Sequence, residues 1–287
     1  MTAGQHVLRG RTAVVTGAAR GVGAALAREL SARGARVALL GLEEEALAAV
    51  AATLPTPALA RHVDVTDDAA MAEAADEVRR RLGEASVVVA SAGVAEGGPF
   101  IDSDPATWRR VIEVNLVGSS VTARSFLPDL LDTRGYYLQI ASLASIGSAP
   151  MMSAYCASKA GVESFAHSLR AELDSRGVGV GTAYLNWTDT DMIRDADQHP
   201  VLRELRAHMP PPARKIYPAR YVAEALVNAV ERRAPTVYVP RWLRGVQVVR
   251  AALPGLVVRY ARQELTRSEF SATGLLGAGG RAASQNL

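Results

Sequence analysis

Tyr155 and Lys159 stand four positions apart in the stretch Tyr155-Cys156-Ala157-Ser158-Lys159, a spacing that sets both side chains on one face of a helix. A phenol held beside an ammonium is a proton-transfer unit, because the nearby cation favours the phenolate. Lysine is rare in this chain: only Lys159 and Lys215 occur among 32 basic residues. A Tyr-x-x-x-Lys pair by itself is common on ordinary helices. Here it follows a glycine-rich turn at 17–23, an asparagine, Asn115, and a serine, Ser142, and the set reads as a site.

The elements that must position these groups alternate regularly. Strand-like runs at 12–16, 36–40, 60–65, 86–90, 136–140, 178–185 and 236–239 are separated by helical patterns near 22–33, 43–53, 67–82, 105–131, 153–175 and 218–233. This rhythm calls for an α/β fold: one Rossmann-like, doubly wound parallel sheet of about seven strands, covered on both faces and joined by right-handed crossovers. Ligands of such sheets sit beyond the carboxyl ends of the strands, where the strand order reverses. The catalytic domain is expected over residues 1–240, a packed helical extension over 241–265 and a mobile tail over 266–287. Residues 188–217 break the rhythm and read as a loop with one short helix near 200–208.

After the first strand comes Thr16-Gly17-Ala18-Ala19-Arg20-Gly21-Val22-Gly23, opening into an alanine-rich helix. Glycines at 17, 21 and 23 let the backbone turn and approach a pyrophosphate, and the helix-start amides favour an anion. A glycine turn without a ligand is the plain alternative; the strand before it and the helix after it argue for binding. This Gly-x-x-x-Gly-x-Gly spacing resembles the short-chain dehydrogenase/reductase family, and the likeness runs from about residue 11 to 240. The resemblance implies a nicotinamide dinucleotide held by Gly17, Arg20, Gly21, Val22 and Gly23, with Gly41 ending the second strand. Asp64 and Val65 resemble the pair that contacts the adenine. Ala90-Ser91-Ala92-Gly93 stands where the family usually has Asn-Asn-Ala-Gly, so Ala92 and Gly93 carry over as structural neighbours of the cofactor. At Gly41 and Leu42 the chain has neither an acid for the ribose hydroxyls nor a base for a 2′-phosphate. Arg20 resembles the basic residue that some NADP-preferring members use, which tilts the expectation toward NADP(H) over NAD(H).

Asn115, Ser142, Tyr155 and Lys159 match the family's catalytic pattern. The resemblance assigns Tyr155 as acid/base, Lys159 as its electrostatic partner and a ribose ligand, Ser142 as donor to the substrate oxygen, and Asn115 as support for a water relay. The stretch Leu185-Asn186-Trp187-Thr188-Asp189-Thr190 replaces the family's Pro-Gly with Leu185-Asn186, while Thr188 and Thr190 remain expected cofactor contacts. The implied activity is a short-chain alcohol dehydrogenase or carbonyl reductase. Leu143, Ala144, Met151, Met152, Trp187, Met192 and Ile193 suggest an apolar pocket and a lipophilic secondary alcohol or ketone. A silent dinucleotide-binding sensor or scaffold of the same fold is the alternative, against which the intact proton-transfer set argues.

Bulk properties limit the partners. At 287 residues and 49% hydrophobic content the chain can bury a full core. The formal charge of +3 is concentrated beyond residue 240, where seven arginines meet only Glu264 and Glu269, so the body is no nucleic-acid binder. The single cysteine, Cys156, fits a reducing compartment and a cytoplasmic location, and the five histidines lack metal-ligand spacing. The first residues show no signal peptide pattern. Helically spaced apolar residues beyond Pro240, interleaved with arginines, suggest a helix packed on its own domain or a neighbouring subunit; contact with an anionic membrane or a lid over the cleft is the less favoured reading. The family resemblance implies a homodimer or homotetramer built partly through the helices at 105–131 and 153–175.

Overall fold

The β-branched and alanine-rich runs form seven parallel strands: β1 Thr12–Thr16, β2 Arg36–Gly41, β3 Ala58–His62, β4 Ala85–Ala90, β5 Tyr136–Ser142, β6 Gly179–Leu185 and β7 Thr236–Val239. The computed structural model describes residues 7–264 and 271–277. The strands pair in the order β3-β2-β1-β4-β5-β6-β7, so the order reverses between β1 and β4. β1 and β4 are buried at every residue, as strands covered on both faces must be.

Two helical layers cover the sheet. On one side α1 (Gly21–Ala32), α2 (Glu44–Ala51) and α9 (Ala219–Glu231) pack on Val15, Leu39, Val89 and Leu138. On the other, α3 (Asp68–Leu82), α4 (Pro105–Ile112), α5 (Gly118–Asp132) and α6 (Ser153–Leu173) pack on Val14, Leu40, Val88 and Tyr137. The helices start where the sequence supplies caps. Asp67 accepts from Ala70 N at the head of α3, and Asp104 accepts from Thr107 N with Pro105 in the first turn of α4.

Four features differ from the sequence expectation. The pattern at 105–131 is not one helix, because a π-helical turn, Glu113–Val117, separates α4 from α5. The strand expected at 60–65 begins earlier, at Ala58, and ends at His62, since the register with β2 is set by pairs from Val37↔Ala58 to Gly41↔His62. The loop at 188–217 carries two helices, α7 (Asp191–Gln198) and α8 (Pro200–Ala207), plus a turn at Pro211–Arg214. The tail expected to be mobile, 266–287, lies partly outside the described residues, at 266–270 and 278–287. Its described part is held: Leu275 and Leu276 pair antiparallel with Glu96 and Ala95, and Thr273 N donates to Gly97 O at 2.8 Å.

Beyond β7 come α10 (Leu243–Val248) and α11 (Leu253–Glu264). Leu243 is fully buried in a small cluster with Ala141, Ile146 and Tyr184, which seats the extension against the ends of β5 and β6. Among the described residues no helix is long and apolar enough to cross a membrane.

Candidate active site

A cavity of about 850 Å³ opens along the carboxyl edge of the sheet at the strand reversal, within the size range of small-molecule sites. Its floor begins at the glycine turn. Gly17 has φ +66°, and a Cβ there would come within 2.7 Å of Ala92 Cα. Gly21 has φ +51°, and a Cβ on Gly23 would come within 2.2 Å of Gly17 O. α1 has no side-chain cap and no acid in its first turn, so its leading amides remain open to an anion. This cradle fits the pyrophosphate of a dinucleotide. The loop after β4, lacking the family's asparagines, is held instead by Thr16, whose Oγ1 accepts from Ser91 N at 3.1 Å and Ala92 N at 3.2 Å.

Two ion pairs stand at the end expected to receive adenosine. Glu43, two residues past Gly41, accepts from Arg20 Nε at both carboxylate oxygens, at 2.8 and 2.9 Å. Glu43 lies one position beyond Gly41 and Leu42, where the family pattern puts its ribose ligand, so the sequence alone does not single it out. Asp64 accepts from Thr66 N at 2.9 Å and from Arg110 at 2.5 Å. Burial opposes its ionisation, but the bonds from Thr66 and Arg110 outweigh that and hold its pKa below the usual value. The Asp64 carboxylate therefore braces its own loop, while Val63, Asp64 and Val65 still line the cleft.

At the other end, Ser142, Tyr155 and Lys159 share one wall. Ser142 ends β5, and its Oγ accepts from Ala144 N while Ser145 Oγ accepts from Ser142 N, both at 3.2 Å. Ser145 also donates to Lys159 O at 2.8 Å, tying the end of β5 to α6. Lys159 Nζ lies 5.7 Å from the Tyr155 ring centroid and donates to Ile140 O at 3.3 Å. Burial pushes Lys159 down to about 8. Burial also pushes the Tyr155 phenol up, with the Ser142 hydroxyl acting in the opposite direction. Burial of the phenol thus works against the acidifying effect expected of the neighbouring ammonium. Cys156, between them, has its thiol pKa raised by burial and is poorly suited to nucleophilic attack.

Every candidate catalytic and cofactor-binding residue lines the cleft except Asn115. Asn115 sits in the π turn, 1% exposed, with its side chain turned to the loop after β4 and to α6. Oδ1 accepts from Val94 N at 2.8 Å, and Nδ2 donates to Val94 O at 3.0 Å and Ser158 Oγ at 2.9 Å. It therefore clamps the loop after β4 to α6, with both amide hydrogens engaged and one lone pair of Oδ1 still open. A Cβ on Gly93 would lie 3.1 Å from Asn115 Oδ1 and 3.6 Å from Lys159 Nζ, which accounts for glycine there.

The outer wall is apolar. Leu143, Ala144, Met152, Trp187, Met192 and Ile193 line it as expected, joined by Trp242, Leu253, Leu256 and Val257 of the extension. Met151 is not among the lining residues; its backbone takes φ +63° and its carbonyl accepts from Gly98 N. Asn186, where glycine was expected, donates through Nδ2 to Ala213 O at 3.0 Å and Lys215 O at 3.1 Å, pinning the far end of the 188–217 segment. Because both partners are carbonyls, the amide orientation is set, and Oδ1 is left buried without a partner.

The profile of the short chain dehydrogenase family matches residues 11–200. A short chain dehydrogenase of Pseudocercospora fijiensis is 31% identical over 74% of this chain and 72% of its own length. Meso-2,3-butanediol dehydrogenase of Serratia marcescens is 33% identical over 63% of this chain and 73% of its own. Dehydrogenase/reductase SDR family member 7B of Bos taurus is 29% identical over 88% of this chain and 80% of its own.

Proposed function

Because the chain belongs to the short chain dehydrogenase family, and so to the NAD(P)-dependent oxidoreductases, we propose that it interconverts a lipophilic secondary alcohol and its ketone with Tyr155 as general acid/base. The observation that carries this is the placement of Ser142, Tyr155 and Lys159 on one wall of a cleft whose floor is the glycine cradle. The nicotinamide, when bound, supplies or accepts the hydride. Tyr155, protonated at neutral pH, donates to the substrate oxygen in reduction and takes the proton back in oxidation. Ser142 orients that oxygen and stabilises the charge that develops on it. Lys159 stabilises the phenolate left on Tyr155 and holds the nicotinamide ribose. Asn115 acts by fixing the loop and helix around Lys159. Thr188 and Thr190 face the cleft where the carboxamide is expected. The apolar outer wall supports a lipophilic substrate over a small polar one.

Arg20 supports NADP(H), since it is a cation at the adenosine end. Glu43 holds that guanidinium and can itself accept ribose hydroxyls, which supports NAD(H). The pair narrows the choice, and we expect NADH and NADPH to bind within about tenfold of each other, the size of one or two competing charged contacts. Fluorescence titration with both reduced nucleotides, followed by a ketone panel read at the nicotinamide absorbance, tests the reading. Binding of neither nucleotide would overturn it. Glu43→Gln, which leaves Arg20 facing only the Asp191 carboxylate at 3.6 Å, is expected to move the ratio toward NADPH. Assembly through α5 and α6 as a dimer or tetramer accompanies this reading and is measured by light scattering. A cytoplasmic location is the companion proposal, resting on the lone cysteine.

A further inference from the structure

The end of α10, the turn after it and the first turns of α11 present apolar side chains to solvent. Of nine large apolar residues exposed among the described residues, four fall in this short stretch: Val248, Val249, Leu256 and Val258, with Val248 82% exposed. Ala251, Ala252 and Pro254 between them are exposed as well. The one charged residue within 248–256, Arg250, turns its guanidinium toward the body, donating to Glu163 Oε1 at 2.8 Å and to Ser145 O at 3.1 Å. Exposed arginines border the stretch on both sides, Arg241 and Arg244 before it, Arg259 and Arg262 after it. No Asp or Glu occurs between Glu231 and Glu264.

We propose that residues 241–262 seat the protein on an anionic lipid surface, with the 248–258 stretch entering the headgroup boundary and the arginines on lipid phosphates. An apolar patch of this kind is unfavourable in water unless something covers it. A second copy of the chain is a poor cover, because a two-fold contact would bring two sets of arginines together with no acid in either stretch. An anionic bilayer answers both features at once, taking the apolar tip and neutralising the flanking charge. α11 also lines the cleft through Leu253, Leu256 and Val257, so the seat places the cleft wall against lipid. Entry of an apolar substrate from the bilayer rests on the function proposed above; the seat itself does not.

Co-sedimentation of the full chain with phosphatidylcholine vesicles, with and without about one-third phosphatidylglycerol, tests the seat. The expected result is pelleting with the anionic vesicles only, lost on adding salt. Val248→Glu with Val258→Glu, and separately Arg259→Glu with Arg262→Glu, are expected to lower partitioning at least tenfold while leaving the unfolding temperature and NADH binding unchanged. None of these four residues lines the cleft. Wild-type protein that stays in the supernatant with anionic vesicles would overturn the proposal. So would a wild-type dimer that Val248→Glu converts to monomer, which would make the stretch a subunit contact. Nucleotide binding measured on the same samples separates failure of the seat from failure of the redox reading.

Discussion

At the residue scale the proposed chemistry rests on a buried lysine and a partly buried tyrosine. Tyr155 is raised above its ordinary value by burial, so it is protonated at neutral pH, the form that donates to a carbonyl oxygen. Lys159 is lowered to about 8 by burial, so it is a cation below that pH and neutral above it. The reductive kcat/KM is therefore expected to be level below about 8 and to fall as pH rises through it, when the cation that stabilises the phenolate is lost. A profile measured from about pH 6 to 10 checks this, and Lys159→Met should remove the inflection together with most of the rate. The identities of these residues were legible in the sequence because their spacing is local. Their pKa directions were not, since burial depends on distant groups: Tyr155 packs on the cluster of Met152, Ala196 and Leu202, and Lys159 lies against Ile140 and Gly93.

Elements turn that chemistry into geometry, and the π turn at Glu113–Val117 is the clearest case. The residues at 105–131 have helical composition throughout, so sequence alone reads one helix. The departure is associated with bonds to Val94, 21 residues away, which no local pattern reveals. Asn115→Ala would orphan the buried Val94 N–H and C=O, and the expected cost is about 3 kcal/mol, at the rate of 1–3 kcal/mol for each group left unsatisfied. Urea unfolding measures it. Weakened nucleotide binding should accompany the loss, because Gly93 and Val94 border the cleft. The same limit explains Glu43. Its partner Arg20 is 23 residues earlier, and only the meeting of α1 with the end of β2 makes them a pair. Six of the seven strands, by contrast, were readable to within two residues, because the central strands, buried on both faces, are continuously apolar; β3, partly exposed at the sheet edge, was not.

At the scale of the whole molecule, one buried carboxylate joins the extension to the catalytic helix. Glu163, 4% exposed on α6, accepts from Tyr184 Oη at 2.6 Å and from Arg250 at both oxygens. Arg250 also reaches Ser145 O, and Ser145 in turn bonds Lys159 O and Ser142 N, so the extension is linked by hydrogen bonds to the active site. Arg250→Ala is expected to cost about 2 kcal/mol, less than the 3–5 kcal/mol of a fully buried pair because Arg250 is itself partly exposed. Calorimetry measures that loss, and a raised KM for bulky ketones should exceed any change in kcat, since the extension forms a cleft wall. The pair spans 87 residues and was invisible in the sequence, as was the pairing of Leu275–Leu276 with Ala95–Glu96 in a stretch whose composition reads as loose.

The most direct test is single-turnover oxidation of bound NADH or NADPH by a ketone in Tyr155→Phe, which keeps the ring and removes only the hydroxyl that carries the proton. Nucleotide affinity is expected within about twofold of wild type and the rate lower by at least 100-fold, the contribution of a positioned general acid. A variant that turns over at a rate near the wild type would contradict the account, because the proton would then come from a group other than Tyr155.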